Sequence, residues 1–178
     1  MSRRAAIYQP KTDTWGIPLT RGKSTTVDVI DANLADVLWT AKPDSYTIYA
    51  HRHEPCGNGK RKTIRLHRVI LALMLKRDLL TGEEVDHIDG NGLNNTRKNL
   101  RLATKAQNMA NSRKRSDNTS GFKGVCWHKQ SGKWRAYIMV GGQQIYLGLF
   151  PNVDDAHAAY CAAAEIHFGQ FANNGGKK

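Results

Sequence analysis

The tightest constraint on this chain is residues 85–114, VDHIDGNGLNNTRKNLRLATKAQNMANSRK. Asparagine is a poor helix former and a poor strand former, so an element that only had to pack would not hold so many. The apolar residues give the stretch its order. Val85 and Ile88 flank Asp86-His87, which marks the end of a strand. Asp89-Gly90 and Asn91-Gly92 are turn dipeptides. Leu100 and Leu102 alternate with Arg101 in a second short strand. Thr104 stands three residues before Gln107, a capping-box spacing, which predicts a helix from Lys105 to about Ser112. The expectation is strand, long polar turn, strand, helix. Asp86 and His87 lie at one end, and Asn108 lies on the helix.

Charge narrows the partner. The 178 residues carry 27 Lys and Arg against 15 Asp and Glu, a formal net charge of +12. Self-repulsion of that size is best tolerated beside a polyanion, with nucleic acid the first candidate. No apolar run is long enough to span a bilayer, and the opening SRRAAIYQPKTDTWG lacks the apolar core of a signal peptide. A soluble, cytoplasmic protein is expected. Cys56, Cys126 and Cys161 are far apart and form no CxxC pair, which argues against a thiolate zinc site.

Around the polar stretch, residues 1–65 mix short apolar runs (Trp15 to Leu19, Val27 to Ile30, Tyr46 to Ala50) with turn residues. GNGK at 57–60 is a hairpin signal. RLHRVILALMLKRDL carries helical periodicity through Val69, Leu71, Ala72, Leu75 and Leu79, and is predicted to stop near Thr81-Gly82. Residues 113–120 hold no apolar side chain and read as a linker.

The polar stretch resembles the HNH nuclease motif, a β-hairpin and helix around one metal ion. The marks are the adjacent Asp86-His87, Asn99 opening the Asn-Leu pair of the second strand, and Asn108 nine residues later on the helix. LHR at 66–68 and the GNGLNN loop are similar to HNH proteins of bacteriophages and mobile introns. The resemblance implies that Asp86 and Asn108 are metal ligands, that His87 is the general base, and that Asn99 fixes the histidine by hydrogen bonding. It also implies one Mg²⁺ or Mn²⁺ per active site, with no structural zinc. The chemistry agrees. Phosphodiester hydrolysis needs a water deprotonated near neutral pH, and histidine titrates at about 6.5. A hard cation with oxygen ligands supplies positive charge to the phosphoryl and leaving oxygens. Asp89, in a DG pair, reads as a turn residue before it reads as a ligand. Asn94, Asn95 and Asn111 read as loop and helix-surface hydrogen bonders. His67 either bonds inside the domain or approaches the site, with the structural role preferred. His51 and His53 give no signal.

Further on, GFKGVCWH, KWRAYIMV and QQIYLGLF are separated by the turns QSGK and GG, and predict three antiparallel strands. Trp134, Ala136, Ile138 and Val140 share one face of the second strand; Lys133, Arg135, Tyr137 and Met139 share the other. Asn152 can cap a helix from Val153 to about His167, with Ala156, Ala159, Tyr160, Ala163 and Ile166 as its apolar stripe. This zone resembles the AP2/ERF DNA-binding domain through KGV at 123–125, GKWRA at 132–136, IYLG at 145–148, DDAHAAY at 154–160, and FG followed by FAN. The resemblance implies that the sheet enters the major groove, with Lys123, His128, Arg135, Tyr137, Gln144 and Tyr146 facing DNA. Cys126 and Met139 stand where plant members carry arginines, so looser sequence preference is expected. Trp127 and Trp134 read as sheet core.

The expected fold class is α+β: a ββα-metal nuclease module and a three-stranded antiparallel sheet with one packed helix. The expected divisions are an N-terminal β-rich extension (1–65), an HNH core (66–112), a basic linker (113–119), an AP2-like domain (120–174) and a tail (175–178). Arg113, Lys114 and Arg115 are expected to lie along phosphates. The expected function is a metal-dependent, homing-type endonuclease acting on double-stranded DNA in a phage-infected host. It would be a nicking monomer, with a dimer as the route to a double-strand cut. The alternative is a DNA-binding regulator with an inactive HNH fold.

Overall fold

The computed structural model describes residues 5–44, 47–114 and 117–174. They form a mixed α and β chain of small antiparallel sheets and few helices. The chain divides into two compact units, Met1–Ala103 and Thr104–Lys178. The division falls ahead of the helix predicted at Lys105, and not at the basic stretch that begins with Arg113.

In the first unit, β1 (Ile7–Gln9), β2 (Thr14–Pro18) and β3 (Ser24–Asp28) form one sheet. The strand expected at Val27 to Ile30 ends at Asp28, and Val29–Asp36 is a 3-10 helix. A second sheet holds β4 (Thr40–Pro43), β5 (Ile48–Pro55) and β6 (Arg61–Arg65). The GNGK turn joins β5 to β6, closed by Cys56 N–H donating to the Lys60 carbonyl at 3.0 Å. The predicted strand start at Tyr46 lies outside the described residues.

The helix α1 (Leu66–Leu75) buries Leu66, Ile70 and Leu71. It ends earlier than its periodicity predicts. Lys76 takes the left-handed cap (φ 53°), and its N–H reaches the carbonyls of Ala72 and Leu73. The following turn closes on itself: Glu83 accepts two 2.8 Å bonds from Arg77 and one from the Leu80 N–H. Those local bonds outcompete another helical turn, and Gly82 lies inside this turn instead of capping the helix.

The predicted hairpin is present as β7 (Glu84–His87) and β8 (Leu100–Ala103). Its register sets Asp86 opposite Arg101 and His87 opposite Leu100. The N-terminal sheets lie in the same compact unit as the hairpin. Ile17, Val27, Trp39 and Ala50 share one core with Leu66, Ile70, Leu71, Val85 and Leu100. Each Val, Leu or Ile side chain among them contributes about 1.5–3 kcal/mol when fully buried. The hairpin therefore depends on the N-terminal sheets for its hydrophobic support.

The second unit begins with α2 (Lys105–Asn111), which carries the full Thr104–Gln107 capping box. Its sheet has the order β11 (Gln143–Phe150), β10 (Lys133–Val140), β9 (Val125–His128). The helix α3 (Val153–Phe168) covers one face, burying Ala156, Tyr160, Ala163 and Ala164 against Ala136 and Ile138. Ile166, placed in the apolar stripe by the sequence pattern, is 80% exposed; Ala164 is buried instead. Asn152 stands at the cap position, yet its side chain makes no cap bond and donates to Asp155. Gly124 shows why KGV matters here. A Cβ on it would stand 2.2 Å from the Tyr160 ring, so any larger residue would lift α3 from the sheet.

Candidate active site

The β7 strand delivers Asp86 and His87 into the interior of the first unit, 2% and 5% exposed. Alternate strand positions point to opposite faces, so adjacent residues meet different neighbours. Asp86 faces across the hairpin. Its Oδ2 accepts from Arg101 Nε and Nη2, both at 2.7 Å. His87 turns toward the other elements. Its ring centroid lies 5.1 Å from that of His67 on α1 and 5.8 Å from that of Tyr49 on β5. The Tyr49 and His67 rings are also 5.1 Å apart. His67 therefore stands at the site, not away from it, and its Nδ1 finds no hydrogen-bond partner among the described residues.

Burial shifts both histidines toward the neutral form. It pushes His87 below the usual histidine range, against the opposing pull of Asn95 and of the Asp89 and Asp86 carboxylates. It pushes His67 well below that range, helped by the neighbouring His87, Arg65 and Arg68. The two imidazole rings meet edge to face.

The polar loop is a hydrogen-bonded structure. Asp89 accepts from Asn91 N–H at 2.8 Å, Asn94 Nδ2 at 2.7 Å and Asn99 Nδ2 at 2.9 Å. Burial opposes the charge on Asp89, but these bonds outweigh it and hold the carboxyl below its ordinary range. Asp89 is thus the organiser of a turn. Asn99 also accepts from Asp89 N–H and donates to the Asn94 carbonyl. The bond expected from Asn99 to the histidine is made by Asn95, whose Oδ1 lies 3.1 Å from His87 Nε2. Gly92 lets this loop press onto β5: a Cβ there would stand 2.6 Å from the Ile48 carbonyl and 2.7 Å from the Tyr49 ring.

Among the described residues, no three His, Cys, Asp or Glu side chains group as a metal site. The donor chemistry still suits a hard dication of the magnesium type. Such an ion takes one or two carboxylates and keeps several waters, and Asp86 offers one buried carboxylate. Asn108, the expected amide ligand, lies half-buried on α2 in the second unit.

The family model described as HNH endonuclease matches residues 65–110, which cover α1, the hairpin and most of α2. Protein 3.8 of Escherichia phage T7 is 38% identical over 91 residues, covering 51% of this chain and 74% of that protein. The chain belongs to the HNH endonuclease family. An uncharacterized HNH endonuclease of Acanthamoeba polyphaga mimivirus is 35% identical over 109 residues, 61% of this chain and 56% of that protein. No solved structure matches. No helix among the described residues is long and apolar enough to cross a membrane.

Within this HNH protein, the predicted DNA-facing residues of the second unit divide. Cross-strand register sets Arg135 opposite Cys126, Tyr137 opposite Tyr146, Met139 opposite Gln144 and Lys133 opposite His128. These side chains share the face that α3 does not cover. The Arg135 guanidinium lies over the Tyr137 ring at 5.7 Å, and its buried Nε has no partner among the described residues. Lys123 is placed differently. Its ammonium donates to the carbonyls of Ala110 (2.6 Å) and Ser112 (2.8 Å), and at 3.4 Å to that of Met109. Burial lowers it to about 8, so it remains mostly charged at neutral pH and closes the C-terminus of α2. Trp134 packs against the core, whereas Trp127, also read as core, is 46% exposed. In the expected linker, Arg113 is exposed and Lys114 donates to the Gly121 carbonyl. Asn118 and Ser120 are bonded into the turn at Phe122. Arg115 lies outside the described residues.

Sequence reasoning missed Asn95, Arg101 and Tyr49 as parts of the site. Arg101 becomes visible only once the hairpin register is known. Tyr49 comes from a strand far away in the chain and carries no local signal.

Proposed function

We propose that this HNH protein is a homing-type endonuclease that nicks double-stranded DNA by metal-dependent phosphodiester hydrolysis. The observation that carries the reading is the buried imidazole of His87, next in the chain to Asp86, with its ring held by Asn95. A neutral histidine can take a proton from water. The resulting hydroxide attacks phosphorus, the bond from phosphorus to the 3′ oxygen breaks, and that oxygen takes a proton from solvent. Asp86, with Asn108, would hold Mg²⁺ or Mn²⁺; HNH nucleases generally depend on a divalent ion. When bound, the ion supplies positive charge to the phosphoryl and leaving oxygens. The uncovered face of the second unit, with Arg135, Tyr137, Gln144, Tyr146 and His128, is read as an AP2-like surface for duplex DNA, with Arg113 along phosphates. One such site per chain fits a monomer that nicks.

The second reading, a DNA-binding regulator with an inactive HNH fold, draws on the Asp86–Arg101 ion pair, which already engages the carboxylate. A supercoiled plasmid separates the two. The first reading expects Mg²⁺-dependent conversion to open circles, lost in His87→Ala while DNA affinity stays unchanged. Tight binding with no nicking under any divalent ion would favour the regulator.

A further inference from the structure

The bond between His87 Nε2 and Asn95 Oδ1 at 3.1 Å could in principle run in either direction with ring tautomer and amide orientation. The surroundings fix it. The Thr25 hydroxyl donates its single proton to the Leu93 carbonyl at 2.8 Å. That hydroxyl can then only accept from Asn95, whose Nδ2 is 2.7 Å away. The same Nδ2 reaches the Gly92 carbonyl at 3.3 Å. Both chains of bonds end on backbone carbonyls, which cannot donate. The Asn95 amide must therefore direct its nitrogen to Thr25 and its oxygen to His87. An amide oxygen only accepts, so His87 Nε2 carries the proton, and in the neutral ring Nδ1 holds the lone pair. Thr25 and Asn95 are both fully buried, so bulk solvent reaches neither bond.

Thr25 lies on β3, outside residues 65–110. That strand grips the loop by its backbone as well. Thr26 N–H donates to the Leu93 carbonyl at 2.9 Å, and Asn95 N–H donates to the Thr26 carbonyl at 2.8 Å. Arg97 N–H donates to Asp28 at the end of the same strand. The loop thus cannot slide relative to β3 without breaking several buried bonds.

We infer that Thr25 is a positioning residue, which acts through Asn95 to lock His87 in the Nε2–H tautomer and so makes Nδ1 the nitrogen that accepts the proton of the attacking water. This rests on His87 being the general base. It gives the N-terminal sheet a role in the chemistry, since a ring in the wrong tautomer presents a proton where a lone pair is needed.

The test uses the full chain with Thr25→Val, which keeps the shape and removes the hydroxyl, and Thr25→Ser, which restores it. Long-range ¹⁵N–¹H correlation spectra read the His87 tautomer directly, without metal or DNA. The expected result is a single Nε2–H form in the wild type and in Thr25→Ser, and a mixture including Nδ1–H in Thr25→Val. Nicking kcat should fall by about tenfold or more in Thr25→Val with KM for DNA unchanged, and recover in Thr25→Ser. A wild-type spectrum showing Nδ1–H overturns the inference even if Thr25→Val fails to fold. So does a fall in kcat with no change of tautomer. If the wild type nicks no DNA at all, the nuclease reading fails, while the tautomer spectra still judge the relay.

Discussion

Asp86 and Arg101 sit directly opposite each other on the two strands of the hairpin, with their side chains 3% and 15% exposed and joined at 2.7 Å. A buried carboxylate left without its partner is costly. Arg101→Leu should therefore destabilise the metal-free protein by about 3–5 kcal/mol. A dication at Asp86 would replace the lost charge. The melting temperature of Arg101→Leu should rise with Mg²⁺ more than that of the wild type. Equal shifts in both proteins would separate Asp86 from the ion.

Gly92 is tested by size alone. Its backbone lies against Ile48 and the Tyr49 ring with no room for a methyl group. Gly92→Ala should cost about 1–3 kcal/mol through overpacking. Because Asn95 follows in the same loop, nicking should fall in kcat as well. Urea titrations and plasmid nicking on one preparation would check both effects; a variant with an unchanged urea midpoint would contradict the close contact.

His67 should make the protein acid-sensitive. Burial keeps it neutral well below the ordinary histidine range when folded, whereas the unfolded chain takes up the proton at about pH 6.5. The stability contribution is complete above that value. As pH falls below it, only the unfolded state binds the proton, so stability drops until the folded pKa is reached. His87, also lowered, acts in the same direction. His67→Phe keeps a ring in place and removes one titrating group. Its loss of stability between about pH 7.5 and about pH 5.5 should be smaller than the wild type's by about 1 kcal/mol. Parallel curves for the two proteins would show that His67 does not titrate between the states.

Lys123 is predicted to hold α2, not DNA. Lys123→Met would leave the carbonyls of Ala110 and Ser112 without their charged donor. Hydrogen exchange at the amides of α2 should quicken, matching a local loss of about 1–3 kcal/mol. Duplex affinity at high salt should change little. Arg135→Ala should do the reverse, weakening binding more at a preferred site than on random DNA if it reads a base edge.

Much of the local structure was legible in the sequence, because it is written in neighbouring residues. The capping box at Thr104 and Gln107 and the alternation along β10 need only a few adjacent positions, and both are present. The Asp86-His87 pair marked the site for the same reason: two unlike polar groups at a strand end are hard to explain by packing. Signals that compete locally were read less well. α1 stops at Lys76 since Glu83 offers closer bonds to the turn, and Ile166 faces solvent although its spacing suits a buried stripe. What only the tertiary structure decided is who touches the histidine. The sequence pattern named Asn99; the folded chain gives that bond to Asn95, sets Asn99 to close the loop through Asp89, and brings Tyr49 and His67 against the ring. Thr25 and Asn95 are seventy positions apart. No periodicity relates residues so distant, and their meeting depends on a shared core that buries Val27 with Leu66 and Val85. Hydrophobic burial is non-directional, so it brings the strands together without specifying partners; the directional hydrogen bonds inside that core then select them.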